Sequence, residues 1–164
     1  EDEPGGILSH INAALCRSSM ERFVTAVCAV VDARGRHLRI ARAGHPLPLL
    51  YRSSEKRVAE IACEGVSLMG FGDYGDVPVS EVALQPGDLL LLYTDGITDR
   101  LNETQEAYGT ERLLRQFEAI APEDPEAILE GIVADLSRFA GTRPADDDQA
   151  LMMMAVERHR AERT

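Results

Sequence analysis

The sequence predicts an α+β fold in which antiparallel sheets are layered with helices, and three observations predict it. Apolar segments of strand length follow one another from residue 23 to residue 93 with hairpin-length connections, two stretches of helical periodicity come together after residue 96, and a last apolar run follows the helices. Helices segregated in this way argue against a doubly wound parallel sheet. With 164 residues and 45% hydrophobic content, the chain can bury one substantial core. The expected organisation is one domain over residues 1–157 and a polar tail at 158–164.

The elements read in order as follows. After the turn-like Glu1-Asp2-Glu3-Pro4-Gly5-Gly6, the residues Ile7, Leu8, Ile11 and Leu15 recur at helical spacing, which predicts a short amphipathic helix over 4–15. Phe23 to Val31 is nearly continuous in apolar and β-branched residues, and Asp32-Ala33-Arg34-Gly35 stops it. Leu38 and Ile40 then alternate with arginines, so two strands joined by a tight turn are expected. Ala43-Gly44-His45-Pro46 breaks the second strand. Leu47 to Tyr51 resumes an extended pattern whose prolines disfavour helix, and Arg57 to Ile61 predicts a further short strand. Glu64 to Pro78, with Gly65, Gly70, Gly72 and Gly75, reads as a long loop or flap of the kind that borders active sites. Val79 to Leu84 alternates, Gln85-Pro86-Gly87-Asp88 turns, and Leu89 to Tyr93 is an uninterrupted apolar run suited to a central buried strand.

Beyond Gly96 the pattern is helical, with Leu113, Leu114 and Phe117 on one stripe and Ile128, Ile132, Val133, Leu136 and Phe139 on another, separated by Pro122 and Pro125. The final segment, Leu151 to Val156, contains three consecutive methionines. Its length and the preceding turn favour a strand over a helix.

A formal net charge of −11 and a pI near 4.8 disfavour nucleic acid as a partner, because phosphate backbones attract basic surfaces. Cys16, Cys28 and Cys63 are odd in number and widely spaced, and read as free or buried thiols. No apolar run approaches the roughly 20 residues that span a bilayer, and the N-terminus is acidic where a signal peptide is basic. A cytoplasmic, reduced location with no membrane span is therefore expected.

The strongest local chemical signal is the strand ending in Tyr93-Thr94-Asp95-Gly96-Ile97-Thr98-Asp99. A buried strand that delivers a carboxylate at its end, before a glycine permitting close approach, is a way to present a metal ligand rigidly. If the chain coils after Gly96, Asp99 lies on the same side as Asp95. A turn or a helix N-cap is the alternative for each aspartate. A second acidic group, Asp146-Asp147-Asp148, also immediately precedes an apolar strand. Three adjacent carboxylates repel unless solvated or neutralised by a cation, and hard oxygen donors suit Mg²⁺ or Mn²⁺. A solvated acidic turn is the alternative here.

Seven segments then stand in the order and spacing of one family: Phe23-Val24-Thr25-Ala26, Ala41-Arg42-Ala43-Gly44-His45-Pro46, residues 65–70, Leu84-Gln85-Pro86-Gly87-Asp88, Tyr93 through Asp99, Tyr108-Gly109-Thr110-Glu111-Arg112-Leu113, and Asp147-Asp148. Together they resemble the SpoIIE/RsbU-like bacterial branch of the PPM serine/threonine phosphatases over nearly the whole chain. The resemblance implies an antiparallel β-sandwich flanked by α-helices, with two Mn²⁺ or Mg²⁺ ions that activate water to hydrolyse a phosphoserine or phosphothreonine without a covalent enzyme intermediate. By motif, Asp95 and Asp147 resemble direct metal ligands, with Gly96 and Asp148 beside them. Asp99 resembles a position that helps hold a further, weaker metal. His45 falls near that region but reads better as a turn residue, and Gly70 and Gly72 belong to the expected flap. The implied substrate is a phosphorylated protein of the anti-sigma-factor-antagonist kind, in a signalling pathway with a sensor or receiver domain upstream.

The family's N-terminal Gly-Gly-Asp metal motif and its Asp-x-x-Gly-His-Gly segment have no counterpart in this sequence, so the fold is expected to be incomplete on that side. Weak metal affinity and exposed strand edges prone to pair with another chain or form a homodimer follow as expectations. Gln149 and Ala150 stand where the family favours an apolar residue and a threonine. The rival reading is a degenerate, catalytically inactive module that binds a regulatory protein partner.

Overall fold

The computed structural model describes residues 3–18, 23–121 and 123–157; the expected polar tail 158–164 and the helix-separating Pro122 lie outside them. The chain has a mixed α+β fold, as expected, and divides into two compact units: Glu1–His45 with Ala62–Leu84, and Pro46–Ile61 with Gln85–Thr164.

The first unit is a sheet with one helix. Helix α1 (Pro4–Arg17) has proline in its first turn, where a missing N–H costs nothing. Strands β1 (Ala26–Val31) and β2 (His37–Ala43) pair antiparallel, with Val31 opposite Leu38 across the tight turn. The other side of β2 is shared: β6 (Val79–Ala83) pairs antiparallel along residues 37–41, and the two-residue β5 (Gly65–Val66) pairs in parallel with Arg42 and Ala43. This parallel pairing departs from the all-antiparallel expectation and sits within the segment read as a loop. Gly65 is required there, because a Cβ would lie 2.6 Å from the Arg42 carbonyl oxygen. The predicted strand from Phe23 shortens to Ala26, Val24 making only an isolated bridge to Met69. Leu8, Ala41, Ala43, Met69 and Val77 form the core of this unit. The buried side of α1 is Pro4, Gly5, Leu8 and Asn12 rather than the Ile7–Ile11 side of the predicted stripe, and Ile11 is exposed.

The second unit is an antiparallel sheet in the order β4-β3-β7-β8, formed by β3 (Leu49–Arg52), β4 (Arg57–Glu60), β7 (Leu89–Tyr93) and β8 (Leu151–Ala155). The methionine segment is a strand, as its length predicts. Leu49, Tyr51, Leu89, Leu91 and Tyr93 form one cluster with Leu113 and Phe117 of α3 (Thr110–Ile120) and Ile128, Ile132 and Leu136 of α4 (Pro125–Ala140). Leu50 and Leu90, of opposite pleat, are buried too, which accounts for the unbroken apolar run of the central strand β7. Asp124 caps α4, its carboxylate accepting from the N–H groups of Glu126 and Ala127.

At the start of β7 lies a buried ion pair that the sequence pattern presents only as a turn. Asp88 is fully buried; its carboxylate accepts from Arg52 Nη1 at 2.9 Å, Ser53 N at 3.0 Å and Gln85 N at 3.0 Å. Its main chain takes the Val156 N–H, and the Gly87 N–H donates to the Val156 carbonyl, which anchors the far end of β8. No helix among the described residues is long and apolar enough to cross a membrane.

Asp88→Ala takes the carboxylate away from Arg52 and from two backbone donors, so a loss of about 2–4 kcal/mol is expected, at the lower side of buried-pair losses because Arg52 is partly exposed. Urea denaturation of the variant beside Arg52→Ala checks this, since an unchanged midpoint in both would show that the pair holds nothing.

Candidate functional site

The two aspartate-bearing turns meet at the end of the β7–β8 ladder. The register that pairs Tyr93 with Leu151 continues for one step beyond the strands, where the Thr94 N–H donates to the Ala150 carbonyl at 3.1 Å. The Thr94 hydroxyl donates to the Asp148 carbonyl at 3.0 Å and accepts from the Ala150 N–H at 3.0 Å. Thr94 is the N-cap residue of the single-turn helix α2 (Asp95–Thr98), yet its side chain caps nothing there because it is spent across the turn. Asp95 is the first residue of that helix, and the Asp99 N–H donates to the Asp95 carbonyl at 2.8 Å, so the chain does coil after Gly96 as expected.

Gly96 is where the turns touch. A Cβ on this buried residue would lie 2.3 Å from the Asp148 carbonyl oxygen and 3.0 Å from its carbon, backbone atoms that cannot swing aside. The Gly96 carbonyl in turn accepts from Gln149 Nε2 at 3.1 Å. The polar residue at position 149 thus has a function in the joint that an apolar residue could not perform.

Each acidic residue of the second cluster has its own surroundings. Asp146 pairs with Arg143, Nη2 to Oδ2 at 3.0 Å, and is thereby partly neutralised. Asp147 Oδ1 accepts from the N–H of the next residue, Asp148, at 2.7 Å. Asp95, Asp99, Asp147 and Asp148 are all exposed. Two residues outside the sequence motifs hold the loop that carries the cluster. Arg100, buried, donates to the carbonyls of Arg143 and Pro144. Glu103 accepts from the N–H (3.1 Å) and hydroxyl (2.8 Å) of Thr142, hydrogen bonds that hold its carboxyl below the usual range. Neither was legible beforehand: an arginine and a glutamate in a polar stretch carry no signal until residues some 40 positions away are placed beside them.

Asp95 and Asp147 therefore project from turns tied to each other by backbone contact, and Asp148 contributes its carbonyl to the tie. As donors for a divalent cation they are right in kind, being exposed hard oxygens, but short in number. Among the described residues no group of three or more His, Cys, Asp or Glu side chains is placed to hold a metal ion.

The other candidates belong to the first unit. His45 Nδ1 lies 3.2 Å from the Thr25 hydroxyl, and its carbonyl accepts from Arg42 Nη1 at 2.9 Å. Gly44 before it has φ of +62°, so these residues make a turn at the end of β2. The stretch read as a flap is tied to α1 by a side chain the periodicity analysis passed over. Asn12, 4% exposed, accepts from the Gly70 N–H at 2.8 Å and donates to the Gly72 carbonyl at 2.8 Å. Ser9 Oγ adds a bond to the Gly75 carbonyl at 3.0 Å, and Gly70 takes the left-handed φ of +87° that this path demands. A polar residue on the buried side of an amphipathic helix was the available sign.

Two substitutions probe these ties. Gly96→Ala forces the Asp148 peptide away and is expected to cost about 1–3 kcal/mol, with amide shift changes at Asp147 to Ala150 in ¹⁵N spectra; unchanged shifts there would contradict the contact. Asn12→Ala leaves the half-buried Gly70 N–H without its acceptor and the Gly72 carbonyl with only the long Cys16 Sγ contact at 3.6 Å, about 1–2 kcal/mol, and should speed proteolysis at residues 70–76, whereas an unaltered cleavage rate would mean the loop is held otherwise.

Comparison with known proteins agrees with this architecture. The family model described as Stage II sporulation protein E (SpoIIE) matches residues 1–157. Among curated proteins, Protein IcfG of Synechocystis sp. is 29% identical over 141 residues, covering 85% of this chain and 21% of IcfG. The SiaA-PP2C domain of Pseudomonas aeruginosa superposes with a TM-score of 0.79 at 26% identity, over 93% of this chain and 60% of that one. The RsbU and RsbW domains of Rv1364c from Mycobacterium tuberculosis give 0.79 at 24% identity, over 93% and 42%. The phosphatase domain of SpoIIE from Bacillus subtilis gives 0.71 at 19% identity, over 94% and 66%; these last two are likenesses of fold. The chain thus spans about a fifth of the curated relative and less than two thirds of the first two structures. With the family model matching all but the last residues, the chain belongs to the SpoIIE family of PP2C-type serine/threonine phosphatase domains.

Proposed function

We propose that this chain is the part of a metal-dependent serine/threonine phosphatase that supplies two of its carboxylate ligands, Asp95 and Asp147, with Gly96, Asp148 and Asp99 beside them. The observation that carries the reading is the joint between the two turns, where the Asp148 carbonyl accepts from Thr94 at 3.0 Å and fills the space a Gly96 side chain would need. Exposed carboxylates on backbones fixed to one another lose little freedom on binding a cation, and hard oxygens suit Mn²⁺ or Mg²⁺. When bound, a metal pair supplies the charge neutralisation and water activation that phosphomonoester hydrolysis requires. The residues of this chain hold the two carboxylates in place: Thr94 and Gln149 lock the turns, and Arg100 and Glu103 hold the loop behind Asp147. An octahedral cation takes about six oxygens, so waters and further donors complete the set around Asp95 and Asp147.

The substrate class that fits the family is a phosphorylated protein of the anti-sigma-factor-antagonist kind, in a bacterial signalling pathway with a sensor or receiver domain upstream. One observation favours a second reading: with fewer than three grouped ligands among the described residues, a module that has lost its metals and binds a regulatory partner needs no further donors.

Hydrolysis of p-nitrophenyl phosphate and a phosphoserine peptide with Mn²⁺ separates the two. An N-terminally longer form is expected to be active and its Asp95→Asn variant to fall by roughly 100-fold or more, with this chain alone far weaker. Inactivity of the longer form, with no Mn²⁺ uptake, would establish the partner-binding reading instead.

A further inference from the structure

At the Asp88 end of the second sheet, away from the aspartate turns, lies a cavity of about 380 Å³ that the phosphatase reading does not use. The β3–β4 turn, the start of β7 and the C-terminal end of α3 enclose it, and its walls include Tyr51, Ser53, Lys56, Leu89, Ala121 and Glu123. Leu89 and Ala121 are buried and give it an apolar side. Tyr51 supplies its deepest polar group. The ring belongs to the core, 6.4 Å from that of Phe117, and the residue is 7% exposed. A phenol so deeply buried ordinarily has a hydrogen-bond partner, yet among the described residues none engages this hydroxyl. The hydroxyl is not sealed off either, because Arg42 Nε is the one fully buried side-chain nitrogen or oxygen among those residues without a partner. The remaining exposure of the phenol therefore opens on the cavity that Tyr51 lines.

Two charges of opposite sign complete the walls. Lys56 ends the β3–β4 turn with φ of +53°, in the left-handed region that favours glycine. Its N–H donates to the Arg52 carbonyl at 2.8 Å, so the turn fixes where its side chain leaves the backbone. A lysine kept in a conformation suited to glycine, on the wall of a cavity, is a strained residue of the kind that gathers at ligand sites. Glu123 lines the cavity from the side of α3, whose C-terminal end adds partial negative charge there. Among the described residues no ion pair joins Lys56 to Glu123, and neither side chain has another partner. The charges around them are engaged: Arg52 on Asp88, Glu118 on the Val58 N–H and Asp124 on the start of α4. Glu55 and Arg57, one of each sign, flank Lys56 in the chain without lining the cavity. The Ser53 hydroxyl donates to the Pro86 carbonyl at 3.2 Å.

We propose that this cavity binds a small zwitterion of the free amino-acid class, its carboxylate on Lys56 and the Tyr51 hydroxyl, its ammonium on Glu123, and an apolar side chain against Leu89 and Ala121. The two unpaired charges select the ligand. A simple anion meets Glu123 and the helix end, a simple cation meets Lys56, and a molecule carrying both charges satisfies both walls. The site does not depend on metal binding or turnover at Asp95 and Asp147, and its test does not read activity.

The test is a titration of the ¹⁵N-labelled chain with leucine and phenylalanine, beside leucinamide and isocaproate, which keep the leucine side chain but carry a single charge. Saturable shifts at residues 51–56 and 87–89 and at Ile120, Ala121 and Glu123 are expected with at least one of the two amino acids, at a Kd of about 1 mM or below. Neither singly charged control should saturate. Lys56→Gly, which suits the left-handed turn, and Glu123→Gln are each expected to weaken binding by about tenfold or more, while Arg34→Gln, on the β1–β2 turn, leaves it unchanged. A urea midpoint for Lys56→Gly no lower than that of wild type shows that the loss is not one of folding. Absence of saturable shifts in these segments with both amino acids, saturation by either control at the same concentrations, or unchanged affinity in both Lys56→Gly and Glu123→Gln overturns the proposal.

Discussion

The candidate site depends on one close approach, that of the Asp148 peptide to Gly96. Two segments more than 50 residues apart in sequence come into backbone contact there, and the space between them is smaller than a methyl group. The contact also holds because Thr94 turns its hydroxyl across the gap instead of back onto its own helix. A helix of one turn with an uncapped N-terminus is weak by itself. Here the lost cap is offset by a bond that fastens the helix to the following strand. Asp95 and Asp147 gain a common frame from this arrangement.

The opposite end of the same ladder is fastened as firmly, by different means. Asp88 is fully buried and gathers Arg52, Ser53 and Gln85 around its carboxylate, while its main chain pairs with Val156. A buried carboxylate is costly unless its oxygens are satisfied, and three donors satisfy it. Between the two ends, β8 pairs with β7 through the run from Leu151 opposite Tyr93 to Ala155 opposite Leu89. A slip of one residue in this pairing would turn Leu151 and Met153 away from the core and carry Asp148 off Gly96. Pinned ends therefore do for the methionine-rich strand what branched side chains do elsewhere, since methionine alone specifies register poorly.

The strands and helices of the second unit were legible because their apolar residues stand out: the unbroken run Leu89 to Tyr93 for the central strand, and the helical spacing of Ile128, Ile132 and Leu136 for the longer helix, although Val133, read into the same stripe, is exposed. The family motifs marked Asp95 and Asp147 as resembling metal ligands, but the contact between the turns that carry them was not visible in the sequence. Nothing in Thr94 or Gln149 announces a partner across the gap, because a hydroxyl or an amide has no periodicity. The same blindness hid Arg100, Glu103 and Asp88, whose partners become neighbours only when the fold closes. In the first unit the period itself misled. Of the stripe Ile7, Leu8, Ile11 and Leu15, Leu8 and Leu15 do meet the core, but Ile11 is exposed and Asn12 is turned inward, because it satisfies the backbone of the 70–72 loop. Burial followed hydrogen-bond demand at that position and not hydrophobicity.

Rigid presentation and ligand number are separate properties of a metal site, and among the described residues the proposed ligands Asp95 and Asp147 have the first without the second. The backbone ties fix where Asp95 and Asp147 emerge, a constraint that serves any function in which the two carboxylates act together. Ligand number sets affinity, and two grouped carboxylates leave a hard cation mostly hydrated. Such a half-built frame has a mechanical consequence. Since the turns are locked by neutral hydrogen bonds and by shape, not by the ion, the joint holds whether or not a cation is present. On the proposed reading, metal arrives and leaves without refolding the strand ends, unlike small metal domains whose ligands organise only on binding.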